Sequence, residues 1–220
     1  MTYCADTADT LFDLVSRELL NNPVTDDNMA YEMVNANLVL FDPTKNTMCE
    51  CMRKMSMRYA IGELIWYNSR KPTWQSIHKY SKFWKNISDD GEHVNSNYGW
   101  CIHDKYTFDQ WEMVKALLKR DPNSRQAVIH IKEPRDLINR PSRDVNCTIA
   151  MQFILRNGKL DLIVTMRSND IWLGLPYDLF NFTCMQIQMA MELGVEVGIY
   201  YHNAGSLHMY KRDVEKFTEV

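Results

Sequence analysis

Cys147 stands in Asn146-Cys147-Thr148 at the head of an apolar run, and twenty residues later comes Arg167-Ser168-Asn169-Asp170. Between them lies Asn157-Gly158, a dipeptide whose tolerance of positive φ marks a tight β-hairpin. A hairpin folded there returns Arg167 to the neighbourhood of Cys147. A guanidinium beside a thiol favours the thiolate, the nucleophilic form. Covalent addition by such a thiolate divides one difficult step into easier ones. Arg167 and Ser168 together also offer an anionic group a bidentate fork and a hydroxyl donor. Taken alone, a cysteine before an apolar strand is more often a core residue, and an arginine after a turn a solvated one.

Two carboxylates stand where a carboxylate is costly. Glu63 interrupts Ile61-Gly62-Glu63-Leu64-Ile65-Trp66. Burial there would raise its pKa toward a value useful for moving protons, whereas an outward position would make it an ordinary helix-surface Glu. Asp178 follows Leu173-Gly174-Leu175-Pro176-Tyr177. It either aims an acceptor into a site or caps the helix around Pro176. Asp170 has a bland reading as a turn former. His208 and Tyr210, in Gly205-Ser206-Leu207-His208-Met209-Tyr210, are two apart and share one face of a strand.

In combination these segments resemble the active site of the thymidylate synthase family, which adds one-carbon units to pyrimidine nucleotides. The resemblance runs from about Arg58 to Tyr210. It implies that Cys147 adds to carbon 6 of the pyrimidine, making carbon 5 enamine-like toward a one-carbon unit from methylenetetrahydrofolate. It implies Arg167 and Ser168 as phosphate ligands, and His208 with Tyr210 at the sugar 3′-hydroxyl. Arg125, in Ser124-Arg125-Gln126, would reach across a homodimer to the partner's phosphate site, with Gln126 replacing the family's second arginine. Glu63 and Tyr98, the latter in Asn95-Ser96-Asn97-Tyr98-Gly99-Trp100, would organise water and proton transfers. Asp170, Glu63 and Trp84 would lie on the folate side. The implied fold is α+β: a large twisted sheet, mixed or antiparallel, with helices on one face and a second subunit on the other. The first fifty residues match poorly, and the family's Arg-Thr-Gly phosphate loop is not visible among them.

One letter separates the branches of that family. Synthases carry Asn where this chain carries Asp178; the deoxycytidylate hydroxymethylases carry Asp. An amide offers a donor and an acceptor and suits uracil, whereas an ionised carboxylate only accepts. Opposite cytosine, Asp178 can accept from the exocyclic amine and hold a proton on ring nitrogen 3 as the thiolate adds. The expected reaction is therefore hydroxymethylation of dCMP, completed by hydration. Thr148 and the Asn-Ser-Asn-Tyr-Gly-Trp run resemble the same branch. Ten residues follow Tyr210, and a short tail is expected to leave the site open to water. The alternatives are methylation of dUMP or dCMP, hydroxymethylation of dUMP or CMP, and, in another class, a catalytically degenerate nucleotide-binding subunit, for which Gln126 and the short tail speak.

The remaining residues must fold around these groups. The 220 residues fit one domain, 1–220, and 45% hydrophobic content is ample for a core. A net charge of −3 advertises no surface for polymeric nucleic acid. With no run of 18 apolar residues and no signal-like start, the expectation is a cytoplasmic protein without membrane contact. Six irregularly spaced cysteines suggest free thiols. Cys49-Glu50-Cys51 and Cys101-Ile102-His103 lack paired zinc spacing, so no metal is expected, and no zinc-deaminase signature occurs. Leu11, Leu14, Val15 and Leu19 predict a helix over 8–20, ended by Asn21-Asn22-Pro23. Helices are also predicted over 55–67, 74–84, 108–119 and 177–193, and strands over 31–41, 127–131, 147–155, 159–166 and 195–201. Their irregular alternation itself points to α+β.

Overall fold

The computed structural model describes residues 1–21, 23, 25, 26, 29–51, 53–137 and 142–218; Asn22 and Val220 lie outside them. Seven strands form one sheet: β1 (Thr2–Ala5), β2 (Thr25–Asp26), β3 (Ala30–Leu40), β4 (Val128–His130), β5 (Thr148–Arg156), β6 (Lys159–Asp170) and β7 (Glu196–Tyr210). Their order is β1-β3-β7-β6-β5-β4, with β2 paired to β3. The β1–β3 and β6–β7 pairs are parallel and the others antiparallel, so the sheet is mixed. Helix α1 (Ala8–Asn21) packs on β1 and β3, and the long α6 (Leu175–Leu193) on β6 and β7. Leu160, Leu162, Val164, Tyr200 and His202 are buried beneath the helical layer. Ile163, Thr165, Tyr201 and Asn203, on the opposite face, remain half-buried.

Local chemistry explains the pieces that hold the site. Asn157 (φ 51°) and Gly158 (φ 74°) turn β5 into β6, the two positive φ angles that a two-residue hairpin turn demands. Helix α6 carries Pro176 in its first turn and ends at Gly194, whose left-handed φ of 71° lets its N–H reach the carbonyls of Ala190 and Met191. Helix α2 (Met57–Asn68) opens with Ser56, whose hydroxyl accepts from the Tyr59 N–H at 3.3 Å.

The strand alternation breaks once, in register, across three neighbours. In β6, Met166 and Asn169 are buried and Arg167 and Ser168 between them are not; in β7 the same holds for Ala204, Gly205, Ser206 and Leu207; in β3 for Met33, Val34, Asn35 and Ala36. Ser168 pairs with Ser206, and Ser206 with Val34. Asn35 takes φ 56° there, a conformation asparagine tolerates better than most residues. β5 has its own register shift between Thr148 and Ala150. The β5 shift is a bulge or irregularity, and the in-register breaks in β3, β7 and β6 re-aim the side chains beyond them.

Two expectations are corrected. Residues 74–84 do not form a helix. One turn closes on His78 N–H to Trp74 O and Ser81 N–H to Ile77 O, and the short α3 begins only at Phe83 (Phe83–Ile87). Trp74 donates its indole N–H to Gly91 O and Val94 bonds back to Pro72, so the segment is held as a loop against its own return, and so short a helix would not stand without such support. The last strand runs on to Tyr210 rather than stopping at Tyr201, because the alternation resumes in the opposite phase after Gly205.

Candidate active site

Cys147 sits immediately before β5, half-buried. The hairpin brings Arg167 to it as expected. The Arg167 backbone N–H bonds Cys147 O at 2.8 Å, and a terminal guanidinium N–H lies 3.6 Å from Cys147 Sγ. The same guanidinium donates to Val145 O (2.9 Å) and Asn146 O (3.1 Å), which fixes it over the thiol. The thiol is nonetheless not lowered in pKa. Burial pushes it up, Arg167 pulls it down, and the Asp178 and Asp144 carboxylates push it up again. One guanidinium does not outweigh burial plus two nearby carboxylates.

The segment ahead of Cys147 is tied to the Asn95–Trp100 run. Asp144, buried, accepts from the backbone N–H groups of Asn95 and Ser96 and from the Ser96 hydroxyl. Asn97 caps helix α4 (Tyr98–His103), its side chain accepting from Trp100 N–H at 2.8 Å. Tyr98 is thereby driven inward to stack on Tyr67 and Phe182, and it lies against Thr148 within electrostatic reach of Cys147 and Asp178. Gly99 has no substitute, since a Cβ there would stand 1.7 Å from Tyr67 O.

Glu63 is buried on α2. Tyr59, one turn earlier, donates its hydroxyl to Glu63 Oε1 at 2.6 Å, and Asn181 of α6 donates to Oε2 at 2.8 Å. Trp84 donates its indole N–H to the Tyr59 hydroxyl at 3.0 Å. Burial drives the Glu63 carboxyl up to about 8; the two donors hold it down and Asp178 adds to the rise. The helix-surface reading is therefore excluded.

Asp178 does not cap α6: Gly174 stands at the N-cap, and no side chain caps the helix. Instead Asp178 Oδ2 accepts from Asn169 Nδ2 at 2.7 Å. Burial pushes its carboxyl up to about 7, moderated by Asn169. Asn169 passes the contact on, its Oδ1 3.0 Å from His202 Nε2, while His202 Nδ1 lies 2.9 Å from the Tyr200 hydroxyl. The arrangement thus joins a cysteine under a guanidinium to two desolvated carboxylates, Glu63 buried and Asp178 half-buried, both raised toward neutrality. Residues 20–220 match the thymidylate synthase family.

The chain belongs to that family. It is 36% identical over 191 residues to the deoxyuridylate hydroxymethyltransferase of Bacillus phage SP01, a match covering 81% of this chain and 50% of that protein. It is 29% identical over 165 residues to the deoxycytidylate 5-hydroxymethyltransferase of Enterobacteria phage T4, covering 70% and 67%. The chain thus spans about half the length of the first relative and two thirds of the second. Among solved structures, thermostable thymidylate synthase A from Bacillus subtilis shares the fold with a TM-score of 0.79 at 21% identity, over 96% of this chain and 83% of that one.

The remaining family positions divide. Ser168 pairs with Ser206, and Asp170 with His208, beyond the break in the sheet. His208 and Tyr210 lie edge to face at 5.2 Å, and His208 Nδ1 is buried with no hydrogen-bond partner among the described residues. Asp170 forms a turn, its Oδ1 accepting from the Trp172 and Leu173 N–H groups at 2.8 and 2.9 Å. Arg125 is exposed in the turn before β4, its carbonyl accepting from Gln152; within one chain it is not brought to Cys147. Sequence reasoning assigned no role to Tyr59, Asn181, Asn169, His202 or Tyr200.

Proposed function

We propose that the protein is a hydroxymethylase of pyrimidine deoxynucleotides whose base is cytosine, with dCMP as substrate and 5-hydroxymethyl-dCMP as product. The observation that carries this is Asp178, a half-buried carboxylate relieved of any capping role, with Oδ2 held by Asn169. An ionised Asp178 opposes uracil oxygen 4 with a second acceptor but accepts from the cytosine amine, and mismatched buried polar groups are how a site rejects the wrong base. In the reaction Cys147 adds to carbon 6, with Arg167 stabilising the thiolate. Asp178 holds the proton on ring nitrogen 3 as charge moves through the ring. Arg167 and Ser168 take the phosphate, and His208 with Tyr210 the sugar hydroxyl. Glu63, with a pKa near 8, is suited to pass protons to and from water.

Methylenetetrahydrofolate, the family's donor, supplies the one-carbon unit when bound. The residues fit it: Asp170 Oδ1 is used by its own turn while Oδ2 engages none of the described residues, leaving an acceptor for the N–H edge of a pterin. Trp84 acts on that side through Tyr59. For hydration to follow, Glu63 must deliver a water to the exocyclic carbon. The half-buried sheet face carrying Ile163, Thr165, Tyr201 and Asn203 supports a homodimer in which Arg125 completes the partner's phosphate site. A mixed dimer of Arg125→Ala and Cys147→Ala chains should then regain one complete site, about half the activity of the unaltered dimer.

A second reading, hydroxymethylation of dUMP, has its own support. The SP01 relative is a deoxyuridylate enzyme by name, and a carboxyl near 7 is partly neutral at physiological pH, when it can donate and accept as an amide does. Product mass after incubation with methylenetetrahydrofolate and dCMP, dUMP or CMP decides. A hydroxymethyl adduct on dCMP is expected. An adduct on dUMP alone, a methyl product, or no product at all would each overturn the assignment.

A further inference from the structure

We propose that Tyr200 and His202 are positioning residues that act through Asn169 to hold Asp178 as an acceptor and so set the base preference of the site, a role that rests on the dCMP reading above. The four side chains come from three elements: Tyr200 and His202 from β7, Asn169 from β6 and Asp178 from α6. Tyr200, His202 and Asn169 are buried. Gly174 lets the last two groups of the chain meet, because a Cβ there would stand 3.1 Å from Asn169 Nδ2 and 3.2 Å from Asp178 Oδ2.

The direction of the relay follows from donor counting. His202 is fully buried, and burial pulls it down to about 4, so it is neutral with a single N–H. An ionised Asp178 needs a donor and receives Asn169 Nδ2. Asn169 then presents Oδ1 to His202, which must carry its proton on Nε2. His202 Nδ1 is left to accept from the Tyr200 hydroxyl, and every group is satisfied. Reversing the chain requires a protonated Asp178 donating to Asn169, Asn169 donating to His202, and His202 donating to Tyr200. The Tyr200 proton is then without an acceptor among the described residues, in a buried position where an unmade hydrogen bond is costly. Tyr200 is thus the stop that sets the polarity and leaves Asp178 Oδ1 as a carboxylate oxygen for the base. The other titratable groups sensed at Asp178 are Glu63 of α2, Asp170 of β6, Tyr67, Tyr98 and Cys147. None of them supplies a competing hydrogen bond to Oδ2.

Calorimetric binding of dCMP and dUMP to the full chain tests this, using Tyr200→Phe, His202→Phe and His202→Gln. The Phe variants should cut the dCMP-over-dUMP preference, by about threefold for Tyr200→Phe and about tenfold for His202→Phe. His202→Gln can donate to Asn169 and accept from Tyr200, and should keep the preference within about twofold. A preference unchanged in Tyr200→Phe, the variant least disturbing to the fold, overturns the relay. A wild type that favours dUMP, or binds neither nucleotide, overturns the base assignment instead. The relay is then judged without ligand, by ¹³C titration of the Asp178 carboxyl, which should move up by roughly half a pH unit in Tyr200→Phe; an unmoved titration overturns it.

Discussion

Glu63, buried, and Asp178, half-buried, are both carboxylates raised toward neutrality by desolvation, yet their surroundings differ. Glu63 receives two donors, Tyr59 and Asn181, one on each oxygen. Asp178 receives one, from Asn169, and its other oxygen engages none of the described residues. A carboxylate gripped on both sides is held in place while protons come and go. One gripped on a single side is an open half of a base pair. Desolvation alone therefore does not assign roles; the count of donors does.

The comparison is broken most severely by removing what both carboxylates serve. Cys147→Ala should lower turnover by about 10⁴-fold or more while nucleotide binding, followed calorimetrically, survives. Full activity in that variant would end the covalent mechanism. Asp178→Asn should invert the base preference, with kcat/KM for dCMP falling about 10²–10³-fold and that for dUMP rising; an unchanged ratio would leave Asp178 without a role in base choice. Glu63→Gln should cost about 10²-fold in kcat on either base, the sign that it serves water rather than the base.

The same variant has a thermodynamic signature. A carboxyl whose folded pKa is raised binds its proton more tightly in the folded state, so stability falls as pH rises from the unfolded value toward about 8. Glu63→Gln removes that slope. It should raise Tm at pH 8 by ~2–4 °C, for about 1 kcal/mol, and change it little at pH 4. A melting curve equally shifted at both pH values would contradict it. The smallest effects sharpen the contrast. Tyr59→Phe takes one of the two donors from Glu63 and should raise its pKa further, moving the pH–kcat profile upward with about a threefold loss at pH 7. In the unaltered protein the dCMP-over-dUMP ratio should climb about tenfold between about pH 6 and 8 as Asp178 ionises near 7; a flat ratio would mean that it stays in one state throughout.

Much of this site was legible because its motifs are contiguous. Cys147, Arg167 and their hairpin follow from Asn157-Gly158, and the burial of Glu63 from the apolar run around it. Tyr59 could have been found, since it stands one helical turn before Glu63 on the same face, as Asn181 stands one turn after Asp178. The His202 relay could not. Continuing the alternation of Leu160, Leu162 and Val164 would bury Ser168 and Asp170 and expose Asn169; the break at Arg167 does the opposite. Tyr200 and His202 further depend on the parallel pairing of β6 with β7, which no local pattern announces. The direction of the thiol's shift was not legible, because it is set first by burial and then by carboxylates, of which Asp178 is remote in sequence and Asp144, three residues before Cys147, gives no local sign of facing it.

That break behaves like a stacking fault in a layered crystal. It passes through Asn35, Gly205 and Arg167 on adjacent strands, so the sheet has two halves of opposite phase joined along one line. A residue gained or lost in a single strand would not shift the fault; it would exchange inside for outside along that strand alone and leave its neighbours unmatched. The half carrying Ser168, Asp170 and His208 can therefore be rewritten residue by residue for new substrates, but the line itself can only be inherited whole.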